Sequence, residues 1–364
     1  RVNVKNIKPT GVILNKTNLV LDKGATYYYR VGNEETGWSE VGSFTVEKAK
    51  GDISGLSFIH VTDSQEESSA GFQKWARVLK EAYNTNPNAA FVAHTGDIVN
   101  RSENKNNFYM QEWIYAFDEP MSQIMNGVFL PASGNHETLD FVFTDRFDIK
   151  WADYKEGDEE LRYGGCYSVT YGEPENGLVV ISLNNTAEAW NYETDFKLYQ
   201  QVWLVEQLEK YSNYKWKVVQ LHEGLMTAGD HTNDGEVEVM RDELPPIFAK
   251  YKVDLVLQGH DHVYTRTRSY AYGVNVFEPG TEANPNYYNG HTPVWTETET
   301  LAPGETSKDG SVTNTLDRTI YLEPQGTHYI TINSCGTKQY PEEPADRIDE
   351  VIFEGDNPLH PTDE

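Results

Sequence analysis

The chain has 364 residues, enough for about two domains of ordinary size or for one large α/β domain with an appendage. Its formal net charge of -27 argues against nucleic acid and anionic membranes as partners, and any phosphate-bearing substrate would need a strong local positive centre. No stretch approaches the roughly 20 apolar residues of a membrane span, so membrane insertion is not expected, and 8 Trp with 23 Tyr argue against a disordered chain.

In chain order, the first elements are strands. Thr26 to Gly32 ("TYYYRVG") and Val41 to Glu47 ("VGSFTVE") are rich in β-branched and aromatic residues, with turn chemistry in "NEETGW" between them. The segment 1–48 is too short for a full β-sandwich, which takes about 100 residues, and fits the last strands of one. "KAKGDISG" then forms a polar, glycine-bearing link.

From Leu56 strands and helices alternate. "LSFIHVTD" is a buried strand, "FQKWARVLKEAY" a helix, "AAFVAHTGD" a second strand, and "NFYMQEWIYAFDEPMSQIM" helical on either side of Pro120. "GVFLPASGNHE" is a third strand with its loop, and "GCYSVTYGEPENGLVVISLNN" a hairpin. "DFKLYQQVWLVEQLEKY" reads as an amphipathic helix, "WKVVQLHEG" as a strand, "RDELPPIFAKY" as a helix and "VDLVLQGHDH" as a strand. Residues 278–318 form an excursion of weak structure with hairpins, "GTHYITINSCGTK" returns to a strand, and the tail 341–364 is acidic. This alternation predicts a layered α/β core.

Cys166 and Cys335 are the only cysteines and no CxxC occurs, which excludes a thiolate zinc site; one disulfide or two buried thiols both fit. The chain begins at Arg1 without an initiator Met or a signal peptide, as a processed or truncated product would.

The informative positions are the strand ends. The strands stop at Asp63, at Asp97, before Asn135 and His136, at His222, and before His260 and His262. Ligands of α/β sheets bind at that carboxyl edge. Two carboxylates, one amide and three imidazoles can hold two divalent ions with one carboxylate bridging, and this mixture of oxygen and nitrogen donors suits Fe, Mn or Zn. Two such ions can clamp a phosphoryl group and activate water. His60 and His94 lie inside strands and are expected as satisfied core histidines.

The ordered series "TD…GD…GNHE…LHEG…GHDH" resembles the calcineurin-like metallophosphoesterases, and within them the purple acid phosphatase branch. "GATYYYRVG…GWSEVGSFTV" resembles the end of that branch's fibronectin-like domain. The resemblance implies a layered α/β/β/α metallophosphoesterase sandwich over 52–340, preceded by a partial fibronectin-like β segment over 1–48. It implies two metal ions: Asp63, Asp97 and His262 on one, and Asp97, Asn135, His222 and His260 on the other. His136 would then be the general acid, oriented by a hydrogen bond to Glu137. His231, in a glycine-bearing loop, is a candidate phosphate contact beside Asn135.

Two positions depart from the branch. Asn100 stands where it carries a tyrosine, which implies an all-divalent rather than ferric centre. Gln65 stands where other branches carry a histidine, and is a candidate for ligation, for holding a water, or for facing solvent. Arg266 and Arg268 are candidate phosphate clamps, though flanking arginines more often pair with carboxylates.

The implied activity is hydrolysis of phosphate monoesters by metal-bound hydroxide. A phosphodiesterase acting on nucleotides or a cell-surface polymer is the alternative, and a non-catalytic binding module on the same fold a third. A secreted or cell-surface location is the expectation from the acidic, Asn/Thr-rich surface.

Overall fold

The computed structural model describes residues 21–46 (except 23 and 36), 55–100, 107–138, 165–186, 199–267 and 326–340. It also describes 143, 147, 149 and 196, and strand backbone at 270–272, 291–293, 297–301 and 318–322. The expectations for residues 1–20, the link at 47–54, most of 278–318, Arg268 and the acidic tail fall outside these residues.

Four short strands come first: β1 (Thr26–Tyr29), β2 (Gly32–Asn33), β3 (Gly37–Trp38) and β4 (Gly42–Thr45). β1 pairs antiparallel with β4, and β2 with β3. They are fastened to the next layer by Tyr29, whose hydroxyl donates to the Met125 carbonyl at 3.0 Å, and by the Ser43 N–H, which donates to Asn126 Oδ1 at 3.1 Å.

The body then runs β5 (Ile59–Val61), α1 (Ser69–Thr85), β6 (Val92–His94), α2 (Asn107–Asp118), α3 (Met121–Ile124), β7 (Phe129–Pro131) and α4 (Asn135–Thr138). It continues with β8 (Tyr167–Tyr171), β9 (Leu178–Ser182), α5 (Val202–Lys210), β10 (Trp216–Glu223), α6 (Gly235–Tyr251), β11 (Leu255–Gly259) and β12 (Thr265–Arg266). β13 (Tyr270–Tyr272) pairs antiparallel with β14 (His291–Pro293), and β15 (Glu297–Leu301) with β16 (Arg318–Leu322), so hairpin-type pairing does occur within the excursion. β17 (His328–Thr331) returns to the main sheet.

Two sheets form the centre. β5-β6-β7 is parallel, and β12-β17-β11-β10-β9-β8 is parallel except at its two edge strands. The period-2 alternation of strand side chains assigns the layers. Val92 faces outward, with Phe72, Trp75 and Leu79 of α1, while Ala93 faces inward with Phe91 and Leu130. From the second sheet, Leu178 and Val180 join that inner layer, whereas Val179 and Ile181 pack outward with Leu204 and Leu208 of α5 and Leu244 and Phe248 of α6. The result is the expected α/β/β/α sandwich, in which both sheets are covered on both faces and their strands read as nearly continuous apolar runs.

Two helices differ from expectation. The helical turns before α5 widen into π geometry at 199–201, where Gln200 turns fully inward and its amide oxygen accepts from the Asn184 N–H at 2.9 Å. α6 starts at Gly235, six residues before the expected Arg241, with Asp234 at the N-cap position and Val237 and Met240 already facing the core. Pro245 and Pro246 lie within it, and each removes one helical N–H donor. Among the described residues no helix is long and apolar enough to cross a membrane.

Cys166 and Cys335 are separate buried thiols. Their S–H groups donate to Gln200 Oε1 at 3.0 Å and to the Thr62 carbonyl at 2.7 Å, and burial pushes the Cys166 thiol up to about 12. Trp75 is a core residue at 1% exposure, whereas Trp38 lies at the surface under the Arg30 guanidinium.

Trp75 joins the first two helices: its ring fills the outer layer and its Nε1–H donates to the Ala116 carbonyl at 3.0 Å. Trp75→Ala is expected to cost about 3–5 kcal/mol of unfolding free energy, measured by urea denaturation. A cost below about 1 kcal/mol would contradict this packing.

Candidate metal centre

The strand ends meet where the two sheets face each other at their carboxyl edge. β5 ends two residues before Asp63, β6 three before Asp97 and β7 four before Asn135, while β10 carries His222 and β11 stops one residue before His260. Asp63, Asp97 and His260 have φ of 52°, 53° and 69°, and only one other described non-glycine residue, Lys252, has a positive φ. Left-handed backbone at a non-glycine residue is strained, and such strain persists where surrounding bonds fix it.

Those bonds are visible. Asp63 Oδ2 accepts from Thr62 Oγ1 at 2.6 Å and from the His260 N–H at 3.1 Å. The buried Glu137 carboxylate accepts four backbone N–H groups: Ile98 at 2.7 Å and Val99 at 3.1 Å on Oε1, Asp97 at 2.9 Å and Gly134 at 2.8 Å on Oε2. Burial, then the Asp97 charge, pushes the Glu137 carboxyl up to about 7 against the pull of those N–H groups. Gly96 has φ of 100°, a conformation open to glycine. At Gly134 the reason is space, since a Cβ would stand 2.1 Å from Asp97 Oδ1.

The imidazoles are fixed by their outer nitrogens. His222 Nδ1–H donates to the Thr95 carbonyl at 2.8 Å, and His262 Nδ1–H to the Lys338 carbonyl at 2.9 Å. Each therefore presents Nε2 inward, the arrangement that orients a metal-binding histidine. His262 also stacks on Tyr340, with centroids 4.4 Å apart and 15° between planes.

Inside, acceptors converge. His262 Nε2 lies 3.1 Å from Asp63 Oδ1. His222 Nε2 lies 3.4 Å from Asp97 Oδ1 and 3.2 Å from His260 Nδ1. Asn135 Oδ1 lies 3.0 Å from His222 Nε2 and 3.3 Å from His260 Nδ1 and from each Asp97 oxygen. An amide oxygen facing these four atoms is unfavourable unless the amide turns its NH2 inward, or a proton or a metal cation stands among them. The ligand atoms of Asp97, His222 and His260 all lie within 4.8 Å of one another, close enough for one ion.

The electrostatics agree. Burial pulls His222 down, but the charge and hydrogen bond of Asp97 and the charge of Asp63 outweigh it and push it up to about 10. Burial would raise Asp97, yet the surrounding imidazoles hold its carboxyl far below the usual carboxylate range. Both directions favour positive charge in this pocket, and the donor set of carboxylate, amide and imidazole fits divalent Fe, Mn or Zn.

Gln65 is buried at the same point. Its Nε2 donates to Asp97 Oδ2 at 3.0 Å and lies 3.3 Å from His262 Nε2, while its Oε1 has no partner.

Other expected residues divide into those that approach and those that do not. His136 donates its backbone N–H to Asp97 Oδ1 at 3.0 Å, and its Nε2 lies 3.8 Å from Asp97 Oδ2 on the open side. Its Nδ1–H is held by the Asn100 carbonyl. The hydrogen bond expected between Glu137 and His136 is therefore corrected, because both Glu137 oxygens are occupied by backbone N–H groups. Asn100, a candidate either for a metal or for supporting a site residue, takes the second part: its side chain donates to Glu67 Oε1 at 3.0 Å, away from the centre, while its carbonyl meets His136. His231 does approach, with its ring centroid 4.0 Å from that of His260 and its Nδ1 2.8 Å from Asp234 Oδ2. Arg266 is exposed and shows no clamp geometry. His94 is a buried core residue bonded to Ser64 Oγ, and the half-buried His60 is bonded to Thr95 Oγ1.

Sequence reasoning missed Asp234, the Lys338–Tyr340 support of His262, and Arg241. The buried Arg241 donates to the carbonyls of Leu225 and Thr232 and so closes the loop that carries His231. Asp234 was legible from its i,i+3 spacing to His231; the others arrive from distant chain with no local signal.

Glu137→Ala would strand four N–H donors at a buried loop. It is expected to cost at least about 3 kcal/mol in urea denaturation of the metal-free protein, from about 1–3 kcal/mol per orphaned buried group. A cost under about 1 kcal/mol would show that the loop does not depend on this carboxylate.

Comparison with known proteins agrees with this geometry. The family model for calcineurin-like phosphoesterases matches residues 56–264. "Probable inactive purple acid phosphatase 9" of Arabidopsis thaliana is 28% identical over 283 residues, covering 68% of this chain and 41% of that protein. "Purple acid phosphatase 4" of the same plant is 34% identical over 109 residues, covering 29% of this chain and 31% of that protein. The chain thus spans less than half the length of these curated relatives. Among solved structures, the purple acid phosphatase PPD1 of yellow lupin (Lupinus luteus) shares the fold with a TM-score of 0.54 at 18% identity, over 89% of this chain and 52% of that one. With the strand-end motifs gathered at one sheet edge and the family model spanning more than half of the sequence, this chain belongs to the calcineurin-like phosphoesterases.

Proposed function

We propose that the chain is a binuclear metal-dependent phosphohydrolase acting on phosphate monoesters. The observation that carries this reading is the convergence of carboxylate, amide and imidazole groups around Asp97, where Asn135 Oδ1 faces two imidazole nitrogens and two carboxylate oxygens and the ligand atoms of Asp97, His222 and His260 lie within 4.8 Å of one another. Asp63, Asp97 and His262 would hold one ion, and Asp97, Asn135, His222 and His260 the other. Gln65 would turn its orphaned Oε1 toward the first ion and give it a neutral oxygen ligand. When bound, two divalent ions supply an activated water and positive charge facing the phosphoryl oxygens.

The remaining roles belong to side chains at the rim. His136 and His231 flank the opening, with side chains 27% and 29% exposed. The Asn100 carbonyl occupies the Nδ1–H of His136, so Nε2 is the nitrogen left to deliver a proton to the leaving oxygen. His231, held by Asp234, is placed to donate to a non-bridging phosphoryl oxygen. Two imidazole donors at the rim suit a monoester, which carries more anionic oxygen than a diester.

A non-catalytic module is the second reading, favoured by the relative whose name calls it probable inactive. Against it stands the full donor set in this chain, with Asp63, Asp97, His222 and His262 buried and Asn135 and His260 partly so.

The test compares p-nitrophenyl phosphate, an alkyl phosphate and bis-p-nitrophenyl phosphate on the wild type, Asp97→Asn and His136→Ala. Asp97→Asn is expected to lose metal and turnover together. His136→Ala should keep its metal and lose about 10²–10⁴-fold in kcat on the alkyl ester, less on p-nitrophenyl phosphate, whose leaving group needs little protonation. Equal turnover by His136→Ala on both esters would remove the acid assignment, and wild-type turnover of the diester alone would replace the monoesterase by a diesterase.

A further inference from the structure

Residues 97–100, where the chain leaves β6, are held by two buried carboxylates. Glu137 accepts the N–H groups of Asp97, Ile98 and Val99. The next N–H, that of Asn100, goes to a different residue: Glu112 Oε2, at 3.0 Å. Glu112 lies on α2 and is 2% exposed. Asn100 in turn offers its carbonyl to His136 Nδ1–H, and its own side chain is tied to Glu67 Oε1 at 3.0 Å.

We propose that Glu112 is a positioning residue for His136, acting through the backbone of Asn100. The two carboxylates divide the loop between them. Glu137 fixes the part that carries Asp97, and so the metal position. Glu112 fixes the residue whose carbonyl sets the ring orientation and tautomer of His136, and so the direction in which Nε2 points. The sequence carries no motif for this role, because Glu112 is twelve residues beyond Asn100 on a helix.

The inference rests on His136 acting as the acid of the proposed phosphohydrolase, yet its structural half can be read without activity. The position of the carboxylate matters here, more than its charge. Glu112→Gln keeps an oxygen acceptor at the same reach, whereas Glu112→Asp keeps the charge and withdraws the acceptor by one C–C bond, about 1.5 Å.

Three readouts are taken on the wild type and both variants: metal content, kcat and KM on an alkyl phosphate and on p-nitrophenyl phosphate, and the 15N spectrum of labelled histidine in zinc-loaded protein. Metal content is expected to stay at the wild-type value throughout. Glu112→Asp should lower kcat on the alkyl ester by about 10- to 100-fold, as a misplacement of about 1 Å does, with little change on p-nitrophenyl phosphate or in KM. Its His136 signal should change from Nδ1-protonated to a mixture of tautomers. Glu112→Gln should match the wild type in both respects.

If Glu112→Asp does not fold, Asn100→Gly carries the same prediction, since it loosens the same backbone and leaves Glu112 in place. A wild-type-like Glu112→Asp, or a Glu112→Gln as damaged as Glu112→Asp, would overturn the proposal. A wild type without turnover on any ester would instead remove the phosphohydrolase reading, and the tautomer comparison would still decide the role of Glu112.

Discussion

Four consecutive backbone N–H groups, from Asp97 to Asn100, end on two buried carboxylates, and the site is built around that constraint. A turn leaving a buried strand points its donors into the protein, where unpaired N–H groups are costly. Glu137 meets three of them and reaches across to the Gly134 N–H, so the ends of β6 and β7 are fixed to each other by one side chain. With the loop held in this way, Asp97 sustains a left-handed backbone at φ 53°, and its carboxylate is aimed at His222 and Asn135. Strain at Asp97 and Asp63 is stored where it sets the direction of the acidic groups.

The same economy applies to the histidines. His222 and His262 each lose one nitrogen to a backbone carbonyl, from Thr95 and Lys338, and each is left one inward nitrogen. Their rings are thereby oriented before any ion arrives, and binding need not order them. His231 is held differently, by Asp234 and by the loop that Arg241 closes, and it stands at the rim among half-exposed groups. Asp63, Asp97, His222 and His262 are buried and the outer pair is open to solvent, which matches a division between holding positive charge and meeting substrate.

Much of this was legible in the sequence because strand ends are local events. Asp63, Asp97, His222 and His260 each follow an apolar run within a few residues, and the parallel sheet order brings those ends to one edge. A layered α/β core followed from the alternation of strands and helices, and its α/β/β/α arrangement from the resemblance. What sequence could not supply were contacts between distant segments. Glu137 sits beside His136 in the chain, and adjacency suggested that it served its neighbour; its oxygens instead serve the β6 loop. Asn100 occupies a position expected to bear on the metals, yet its side-chain amide turns to Glu67, and it is its backbone that meets Glu112 and His136. The start of α6 was misplaced because the alternation in "EVEVM" imitates a strand, whereas Val237 and Met240 pack as helix neighbours three residues apart.

The central claim is that the acceptors around Asp97 surround two cations. Crystals of the protein grown with manganese, and anomalous difference maps calculated at the manganese edge, test it most directly. Two peaks sharing the Asp97 carboxylate are the predicted result, one bounded by Asp63 and His262 and the other by Asn135, His222 and His260. No peak within reach of Asp97, with the Asn135 amide turned to donate to its carboxylate, would contradict the account.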